Sequence, residues 1–277
     1  MRNLLISTGY LLVVSAATAG AAPVKTDHVT VELVSDNAAL APGKSVWLGL
    51  HLIHEAHWHT YWINPGDSGL PTKLTWTLPP NYTANEIAWP TPERFAVGDL
   101  YNFGYDGDVL LPVKIDVPAS AKDATTAHVA VEAKWLVCRE ECVPGKADLT
   151  IDLPVNLAPS RNPRNAKLFN AAHARQPQAA AWDGKARVRG DHVEVTLSGP
   201  AIPTAQKLDA FVAQRRVVGN APPQITASEN GLTLIFPKSE YFAAPPAQLD
   251  LLLRNDDDTA VHAWSVTLPF DIVADHP

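Results

Sequence analysis

Between residues 129 and 155, two stretches of alternating apolar and polar residues flank a short polar turn. The apolar positions before the turn are Val129, Val131, Ala133, Trp135 and Val137, and those after it are Val143, Ala147, Leu149, Ile151, Leu153 and Val155. A period of two is typical of a strand that buries one face. Because only three residues separate the stretches, the sequence predicts a long antiparallel hairpin.

The two cysteines of the chain, Cys138 and Cys142, lie at the two ends of this turn. Cys138 shares its parity with Glu132, and Cys142 shares its parity with Asp148, so both thiols are predicted on the more polar face of the hairpin. Opposite residues of an antiparallel pair have Cα atoms about 4.5–5.5 Å apart, which a disulfide can bridge. We therefore expect a disulfide that solvent and partners can reach.

Three roles are open for this pair, and redox exchange is favoured over a structural staple or a soft-metal site. A staple that closes a ring of about five residues contributes only about 2 kcal/mol in the chain-entropy model. A chain of 277 residues, 46% of them hydrophobic, has enough core not to need one. Two thiolates also suit copper(I) or zinc. The charged residues of the turn do not decide whether the thiols are reactive. Arg139 would lower a thiol pKa, whereas Glu140 and Glu141 would raise it.

The N-terminus, residues 1–22, has the pattern of a secretory signal peptide. Arg2 precedes an apolar run from Leu4 to Val14, and a small-residue cleavage site lies near Ala21 and Ala22. No later apolar run reaches the 18 residues of a membrane-spanning helix. We expect an exported, soluble protein in the oxidising periplasm, where disulfides persist. The net charge of −7 argues against nucleic acid as a partner.

The composition, with 24 prolines and short apolar runs, predicts an all-β fold. Besides the hairpin, the strands predicted for the first part are His28–Ser35, Lys44–Ile53, Thr72–Leu78 and Asp108–Val117. Those predicted for the second part are Val188–Leu197, Leu232–Phe236, Leu249–Arg254 and Val261–Ile272. Residues 164–175 favour a helix that ends before Pro177. We expect two immunoglobulin-like β-sandwiches, residues 23–157 and 178–277, joined by a helical linker at 158–177.

Two aromatic-rich stretches have alternative interpretations. Trp58, Tyr61 and Trp62 precede Asn-Pro-Gly-Asp at 64–67, a typical turn sequence. These aromatics either plug one end of the sandwich or form a docking surface for a partner protein. The stretch 98–107 contains Tyr101, Phe103 and Tyr105, which are candidates for a flap over the disulfide. Its alternative is an ordinary hairpin turn.

Four histidines, His51, His54, His57 and His59, form a cluster in the sequence. Imidazoles bind copper and zinc. The spacing is irregular for one face of a strand, however, and we predict solvated or hydrogen-bonded histidines and no metal ligand.

Three motifs in this order resemble the N-terminal periplasmic region of the DsbD-like thiol:disulfide interchange proteins, of the suppressor of copper sensitivity protein B type. They are Trp-His-Thr-Tyr-Trp at 58–62 with Asn-Pro-Gly-Asp-Ser-Gly-Leu-Pro at 64–71, Gly-Tyr-Asp-Gly at 104–107 with Leu-Leu-Pro-Val at 110–113, and Trp-Leu-Val-Cys at 135–138 with Cys-Val-Pro-Gly at 142–145. The resemblance covers residues 26–155 well and the rest loosely.

This resemblance implies an immunoglobulin-like domain whose redox pair is Cys138 and Cys142, with Cys142 as the exchanging thiol and an aromatic cap over the pair. It also implies a membrane-embedded DsbD-like electron donor, periplasmic thioredoxin-like acceptors and no cofactor. Members of the family continue into membrane-spanning and thioredoxin-like domains. Since this sequence ends at Pro277, we expect a separate membrane partner.

Three functions remain open at this stage. The favoured one is a thiol:disulfide oxidoreductase module that exchanges through a mixed disulfide. The others are a periplasmic copper-binding or copper-tolerance protein and an interaction module with a structural disulfide. The sequence does not fix the oligomeric state.

Overall fold

The computed structural model describes residues 22–203, 207–256 and 261–271. Within these ranges the chain forms nineteen strands and one helix, which confirms the predicted all-β class. The predicted signal peptide lies outside the described residues, apart from Ala22. No helix in the described part is long and apolar enough to cross a membrane.

The first eleven strands form two sheets packed face to face. Their bounds are β1 Val24–Lys25, β2 Val29–Ser35, β3 Ser45–His54, β4 His59–Gly66, β5 Lys73–Thr77, β6 Thr83–Ile87, β7 Glu93–Val97, β8 Leu100–Asp106, β9 Asp108–Asp116, β10 Thr125–Cys138 and β11 Cys142–Val155. One sheet has the order β1-β2-β3-β9-β6, and the other has the order β11-β10-β4-β8-β7 with β5 on β10. We call this pair of sheets the first sandwich.

The alternation predicted from the sequence explains the core of the first sandwich. Val31 and Leu33 of β2 pack with Val131 and Leu149 of the β10–β11 hairpin, and all four are at most 2% exposed. On β11 the neighbouring residues of opposite parity, such as Asp148 and Thr150, face solvent, as expected for a strand with one buried face.

The single described helix, α1 Ala166–Ala174, packs against the first sandwich. Phe169 is fully buried and lies with Ala172 against Val34 and Leu110 on the outer face of the β2–β9 sheet. The helix in the segment predicted as a linker is therefore packed against the first sandwich and does not lie free in solvent.

The remaining strands form one eight-stranded sheet that folds on itself. Their bounds are β12 Gln178–Ala179, β13 Asp183–Arg189, β14 His192–Ser198, β15 Leu208–Val212, β16 Gln224–Ser228, β17 Gly231–Pro237, β18 Gln248–Asp256 and β19 Val261–Asp271. The order is β15-β18-β19-β13-β14-β17-β16, with β12 on β19. Val195 and Leu234 of one half pack with Leu251 and Leu253 of the other half in one core. We call this unit the second sandwich.

Two local predictions were wrong. The strand predicted at 188–197 is a hairpin, because Gly190 adopts a positive φ of 60° and turns the chain between β13 and β14. The turn predicted at 64–67 is instead the end of β4: a register irregularity between Tyr61 and Gly66 lets the strand continue beside β8.

The two sandwiches share part of a core. Phe211 and Leu252 of the second sandwich belong to the apolar cluster of the first. Asn64 Nδ2 also donates a hydrogen bond to the carbonyl of Val212 at 2.8 Å, and Asn64 is only 3% exposed. The domain boundaries at 157/158 and 177/178 stay predictions.

Candidate redox site

The β10–β11 hairpin has the register that the alternation predicts. Fourteen consecutive pairs run from Thr125 opposite Val155 to Cys138 opposite Cys142. The outer face carries Glu132, whose carboxylate lies 2.5 Å from Lys134 Nζ and 2.6 Å from Lys146 Nζ. Hydrogen bonds from these two ammonium groups lower the pKa of Glu132 to about 2. Both cysteines share this polar parity, as predicted.

Cys138 and Cys142 form a disulfide, with their Cα atoms 4.2 Å apart. The two cysteine residues differ in exposure, because Cys138 is only 3% exposed whereas Cys142 is exposed. An attacking thiolate must approach one sulfur along the S–S axis, so access decides which sulfur is attacked. The arrangement favours attack at Cys142.

Strand β4 brings two ring side chains to the disulfide. His59 is paired with Cys138 in the antiparallel ladder, so both side chains lie on the same face. Tyr61, two residues further along the same face, has its hydroxyl oxygen 3.8 Å from Cys142 Sγ. Since a disulfide sulfur carries no proton, any hydrogen bond there is donated by the tyrosine.

Gly69 fixes the position of the Tyr61 ring. It has a positive φ of 91°, and a Cβ at this position would come within 2.3 Å of the ring. The segment after β4 therefore folds over Tyr61, whose side chain is fully buried although its hydroxyl reaches the site.

Strand β7 adds a third ring. Phe95 stacks on His59, with ring centroids 4.7 Å apart and an angle of 14° between the planes. The ladders from β4 through β8 to β7 place Phe95 on the same face as His59 and the cysteines. Phe95 is half-buried, so it forms the outer layer of this stack.

His59 is neutral at neutral pH. Burial, and next the nearby His54, lower its pKa to about 4, against a smaller opposing effect of Asp106. Its Nε2 is buried and has no hydrogen-bond partner among the described residues. His59 therefore supplies no positive charge to stabilise a thiolate at Cys138, but it offers an unused polar atom beside it.

The aromatic residues predicted as a docking surface are buried. Trp58, Tyr61 and Trp62 are 5%, 0% and 4% exposed. Trp58 stacks on His28 at 3.6 Å between centroids, and the Arg139 guanidinium of the cysteine turn lies 5.6 Å from the Trp58 ring. The docking role stays a prediction, and the structure offers no exposed aromatic face for it at these three residues.

The residues predicted as a cap lie on the other side of the sheet. Tyr101, Phe103 and Tyr105 occupy β8 at the parity opposite to Asn102 and Gly104, which share the disulfide face. All three pack with the core of the first sandwich, and the Tyr105 hydroxyl donates to the carbonyl of Pro90 at 2.8 Å. The structure does not bring them to the disulfide.

Sequence reasoning missed His59 as a site residue and missed Phe95 altogether. His59 was grouped with the other histidines, and only the pairing of β4 with the cysteine strand separates it from them. Phe95 is a lone aromatic in a short polar strand. Its parity relative to Asn102 would have identified it, had the β7–β8 hairpin been predicted.

The histidines do not form a metal site in the described part of the chain, where no group of three His, Cys, Asp or Glu side chains could hold an ion. His51 Nε2 lies 2.7 Å from Asp108 Oδ1. His54 bonds the carbonyl of Gly107 and the hydroxyl of Thr60 at 2.9 and 3.0 Å. These rings have partners that explain their positions.

Comparisons with known proteins concern the family and the fold of the chain. Residues 30–154 match the family model of the N-terminal part of the thiol:disulfide interchange protein DsbD. The fold resembles the crystal structure of the N-terminal periplasmic domain of ScsB from Proteus mirabilis, with a TM-score of 0.68 and 18% identity over 91% of this chain and 99% of that one. No curated protein sequence matches the chain.

Two other solved structures match with low TM-scores. Chimeric titin Z1Z2 matches with a TM-score of 0.21 and 12% identity, over 92% of this chain and 99% of that one. The human desmocollin-1 ectodomain matches with a TM-score of 0.20 and 10% identity, over 82% of this chain and 44% of that one. At these TM-scores neither match carries an argument.

Proposed function

We propose that the chain, whose residues 30–154 match the family model of the DsbD N-terminal part, is a periplasmic thiol–disulfide exchange module working through Cys138 and Cys142. The observation that carries this proposal is the unequal access of the two sulfurs. Cys142 is exposed and Cys138 is buried beside His59, on a hairpin held in register over fourteen pairs. A staple needs no such asymmetry, whereas an exchanging disulfide gains a defined point of attack.

The exchange proceeds in two steps. A thiolate of the donor protein attacks Cys142 Sγ, the bond between the two cysteines breaks, and its electron pair leaves on Cys138 Sγ, which takes up a proton. The donor's second thiolate then attacks the donor sulfur that is bonded to Cys142. This forms a disulfide within the donor and releases the Cys142 thiolate. The donor is oxidised to a disulfide and the pair gains two electrons. The reverse sequence passes them to an oxidised acceptor.

We assign the donor role to a membrane-embedded DsbD-like protein and the acceptor role to periplasmic thioredoxin-like proteins. The support is the family match over residues 30–154 and the geometry of the exposed sulfur. A partner thiolate of either kind needs to reach only Cys142.

Phe95, His59 and Tyr61 act as the cover of the resting site. Phe95 lies over His59, which lies beside Cys138, and Tyr61 flanks Cys142. A partner approaches across Cys142 and the turn of Arg139, Glu140 and Glu141. After reduction, the unpartnered Nε2 of His59 is available to accept a hydrogen bond from the new thiol of Cys138.

Trapping of partners tests the proposal. In Cys138→Ala the exposed Cys142 remains free, and we expect it to hold a thioredoxin-like or DsbD-like protein as a mixed disulfide that reductant releases. In Cys142→Ala the buried Cys138 remains, and we expect much less capture. The double variant is the control for non-covalent association.

Two results would reject the proposal. One is no reductant-sensitive adduct in either single variant, and the other is stronger capture through Cys138. The reduction potential gives an independent check, because structural disulfides typically lie below about −300 mV. We expect the potential of this pair to lie above that value.

A further inference from the structure

Arg94, the residue before Phe95 on β7, connects that strand to the second sandwich. Its Nε donates to Asp209 Oδ2 at 3.0 Å and its Nη2 donates to Asp209 Oδ1 at 2.6 Å. Nη2 also donates to the carbonyl of Ala210 at 2.8 Å, and Nη1 donates to the carbonyl of Asn220. The Arg94 side chain is only 9% exposed. A buried bidentate pair of this kind belongs to the strongest class of hydrogen bonds.

Two aromatic rings, one from each sandwich, enclose the same guanidinium. Its central carbon lies 4.8 Å from the ring centroid of Phe103 and 4.8 Å from that of Phe211. The two rings meet edge to face at 5.1 Å. Cation–π contacts add to the ion pair when the cation is shielded from water, so Arg94 has little freedom to move.

The residues leading to Phe95 have further anchors outside the β4–β8–β7 ladder. Arg254 of the second sandwich donates from Nη1 to the carbonyl of Pro92 at 2.7 Å. The carbonyl of Arg175, at the end of α1, accepts from both the backbone nitrogen and the hydroxyl of Thr91 at 2.9 Å. Within the described residues, β7 is the edge strand of its sheet and pairs only with β8. These hydrogen bonds therefore hold β7, which backbone pairing with β8 supports on one side only.

Neighbouring residues of a strand point to opposite faces. On β7, Phe95 faces the disulfide and stacks on His59, while Arg94 faces the second sandwich. Phe95 cannot swing away from His59 by a large movement of β7 while Arg94 remains bound to Asp209.

We propose that Arg94 is a positioning residue that acts through Phe95, and that the second sandwich, by binding Arg94 at Asp209, sets how often the Phe95–His59 stack uncovers Cys138, the buried half of the disulfide. This inference rests on the proposed function, because it takes Phe95 as part of the cover. It gives the second sandwich a role in the exchange reaction through Arg94, which lies on the face of β7 opposite to Phe95.

The test measures the rate at which dithiothreitol reduces the disulfide in the folded full chain. Asp209→Asn keeps the size of the side chain and removes its charge. We expect it to accelerate reduction about tenfold, the factor that corresponds to a contact weakened by about 1.4 kcal/mol. Arg94→Lys keeps the charge but loses the two-pronged geometry, and we expect the same direction of change. The exchanged pair, Arg94→Asp with Asp209→Arg, should return the rate partway to that of the wild type.

A second variant separates positioning from general loosening. Phe95→Ala should itself accelerate reduction, and adding Asp209→Asn to it should bring no further increase, since both act through the same ring. The matched control is Glu194→Gln, which breaks the ion pair with Arg187 in the second sandwich far from β7. Its reduction rate should equal that of the wild type even where thermal unfolding shows a similar loss of stability.

Three results would overturn the inference. The first is a wild-type reduction rate in both Asp209→Asn and Arg94→Lys. The second is a double variant, Phe95→Ala with Asp209→Asn, whose acceleration equals the product of the two single accelerations, and the third is an acceleration by Glu194→Gln as large as that by Asp209→Asn. A wild-type rate in Phe95→Ala would overturn it too, because the positioning acts through that ring. Failure of the exchange function itself would appear elsewhere, as the absence of a trapped mixed disulfide through Cys142. Reduction by a small dithiol does not depend on that capture.

Discussion

The two faces of the three strands β4, β8 and β7 carry aromatic residues with opposite roles. The residues on the disulfide face are His59, Tyr61 and Phe95. Those on the opposite face are Trp62, Phe103 and Tyr105. The second set packs in the core of the first sandwich or against Phe211 of the second. The first set forms a thin cover, of which the outermost ring is half-buried.

This difference shows that parity, and not aromatic density, assigns a role to each ring. Both faces look alike in a count of Trp, Tyr, Phe and His. Each face leaves one buried ring nitrogen without a partner among the described residues, His59 Nε2 on the disulfide face and Trp62 Nε1 on the core face. The faces differ in their tyrosine hydroxyls: that of Tyr61 lies 3.8 Å from Cys142 Sγ, whereas that of Tyr105 is bonded to a carbonyl. The disulfide face is therefore distinguished by a polar group directed at the disulfide, and not by unused hydrogen-bonding capacity.

The largest expected effect concerns the core face. Phe103→Ala should lower the free energy of unfolding by about 3–5 kcal/mol, because it empties a buried ring-sized volume and removes one wall of the Arg94 site. Urea unfolding measures this. Tyr101→Ala on the same strand and parity is the control, and its loss should be smaller because Tyr101 is only half-buried. Equal losses would mean that burial does not distinguish positions on this face.

The hairpin and its cysteines could be predicted from the sequence because their information is local. Period-two alternation over fourteen residues on each side allows one register, and Cys138 and Cys142 close it at the turn. The polar parity of both sulfurs followed directly. The burial of Cys138 did not, because it comes from β4 and its His59. Such a contact joins segments that are far apart in the chain, and one sequence does not specify which distant strands pair.

The second expected effect uses His59 as a pH probe of the disulfide face. Its pKa is about 4 in the folded protein and about 6.5 when unfolded, so the unfolded state binds the extra proton first. The stability due to neutral His59 is complete above about pH 6.5 and is lost as the pH falls toward 4, by about 3 kcal/mol over this window.

Unfolding free energies measured at steps between pH 6.5 and 4 test this effect. His59→Phe keeps a ring for Phe95 to stack on but cannot titrate, so its stability should change less across the window. The pKa of His54 is also lowered by burial, and it contributes a remaining slope of the same sign in both proteins. Identical slopes in the wild type and the variant would show that His59 does not carry the effect.

The cap prediction shows where local reasoning ends. Tyr101, Phe103 and Tyr105 were chosen for their density near glycines, but the ladder with β4 turns all three toward the core. Phe95 gave no signal of its own, since its strand is short and lies between Pro92 and Gly98. Similarly, the turn chemistry at 64–67 was recognised, but contacts with β8 kept the segment in the sheet.

The third expected effect is on the disulfide. Reduction in the folded state should cost only about 2 kcal/mol, because the closed ring is small, and the protein should remain folded as an exchanging module requires. Thermal unfolding before and after mild reductant, with thiol labelling to count free cysteines, measures this. Cys138→Ala with Cys142→Ala should match the reduced protein. A disulfide that opens only after the protein unfolds would identify a staple.

The smallest expected effect on stability is that of Phe95→Ala. Phe95 is half-buried, and its stacking on His59 is worth about 0.5–1.5 kcal/mol beyond the area it covers, so the free energy of unfolding should fall by much less than in Phe103→Ala. The pKa of His59 should nonetheless respond strongly to this substitution. Burial is the main cause of the low pKa of His59, so removing the covering ring should move that pKa upward toward 6.5. NMR titration of the His59 ring in the two proteins measures the shift. Phe236→Ala, which removes a buried ring from the core of the second sandwich, is the control that should leave it nearly unchanged. An unchanged His59 pKa in Phe95→Ala, together with a stability loss as large as that of Phe103→Ala, would show that both faces serve packing alone.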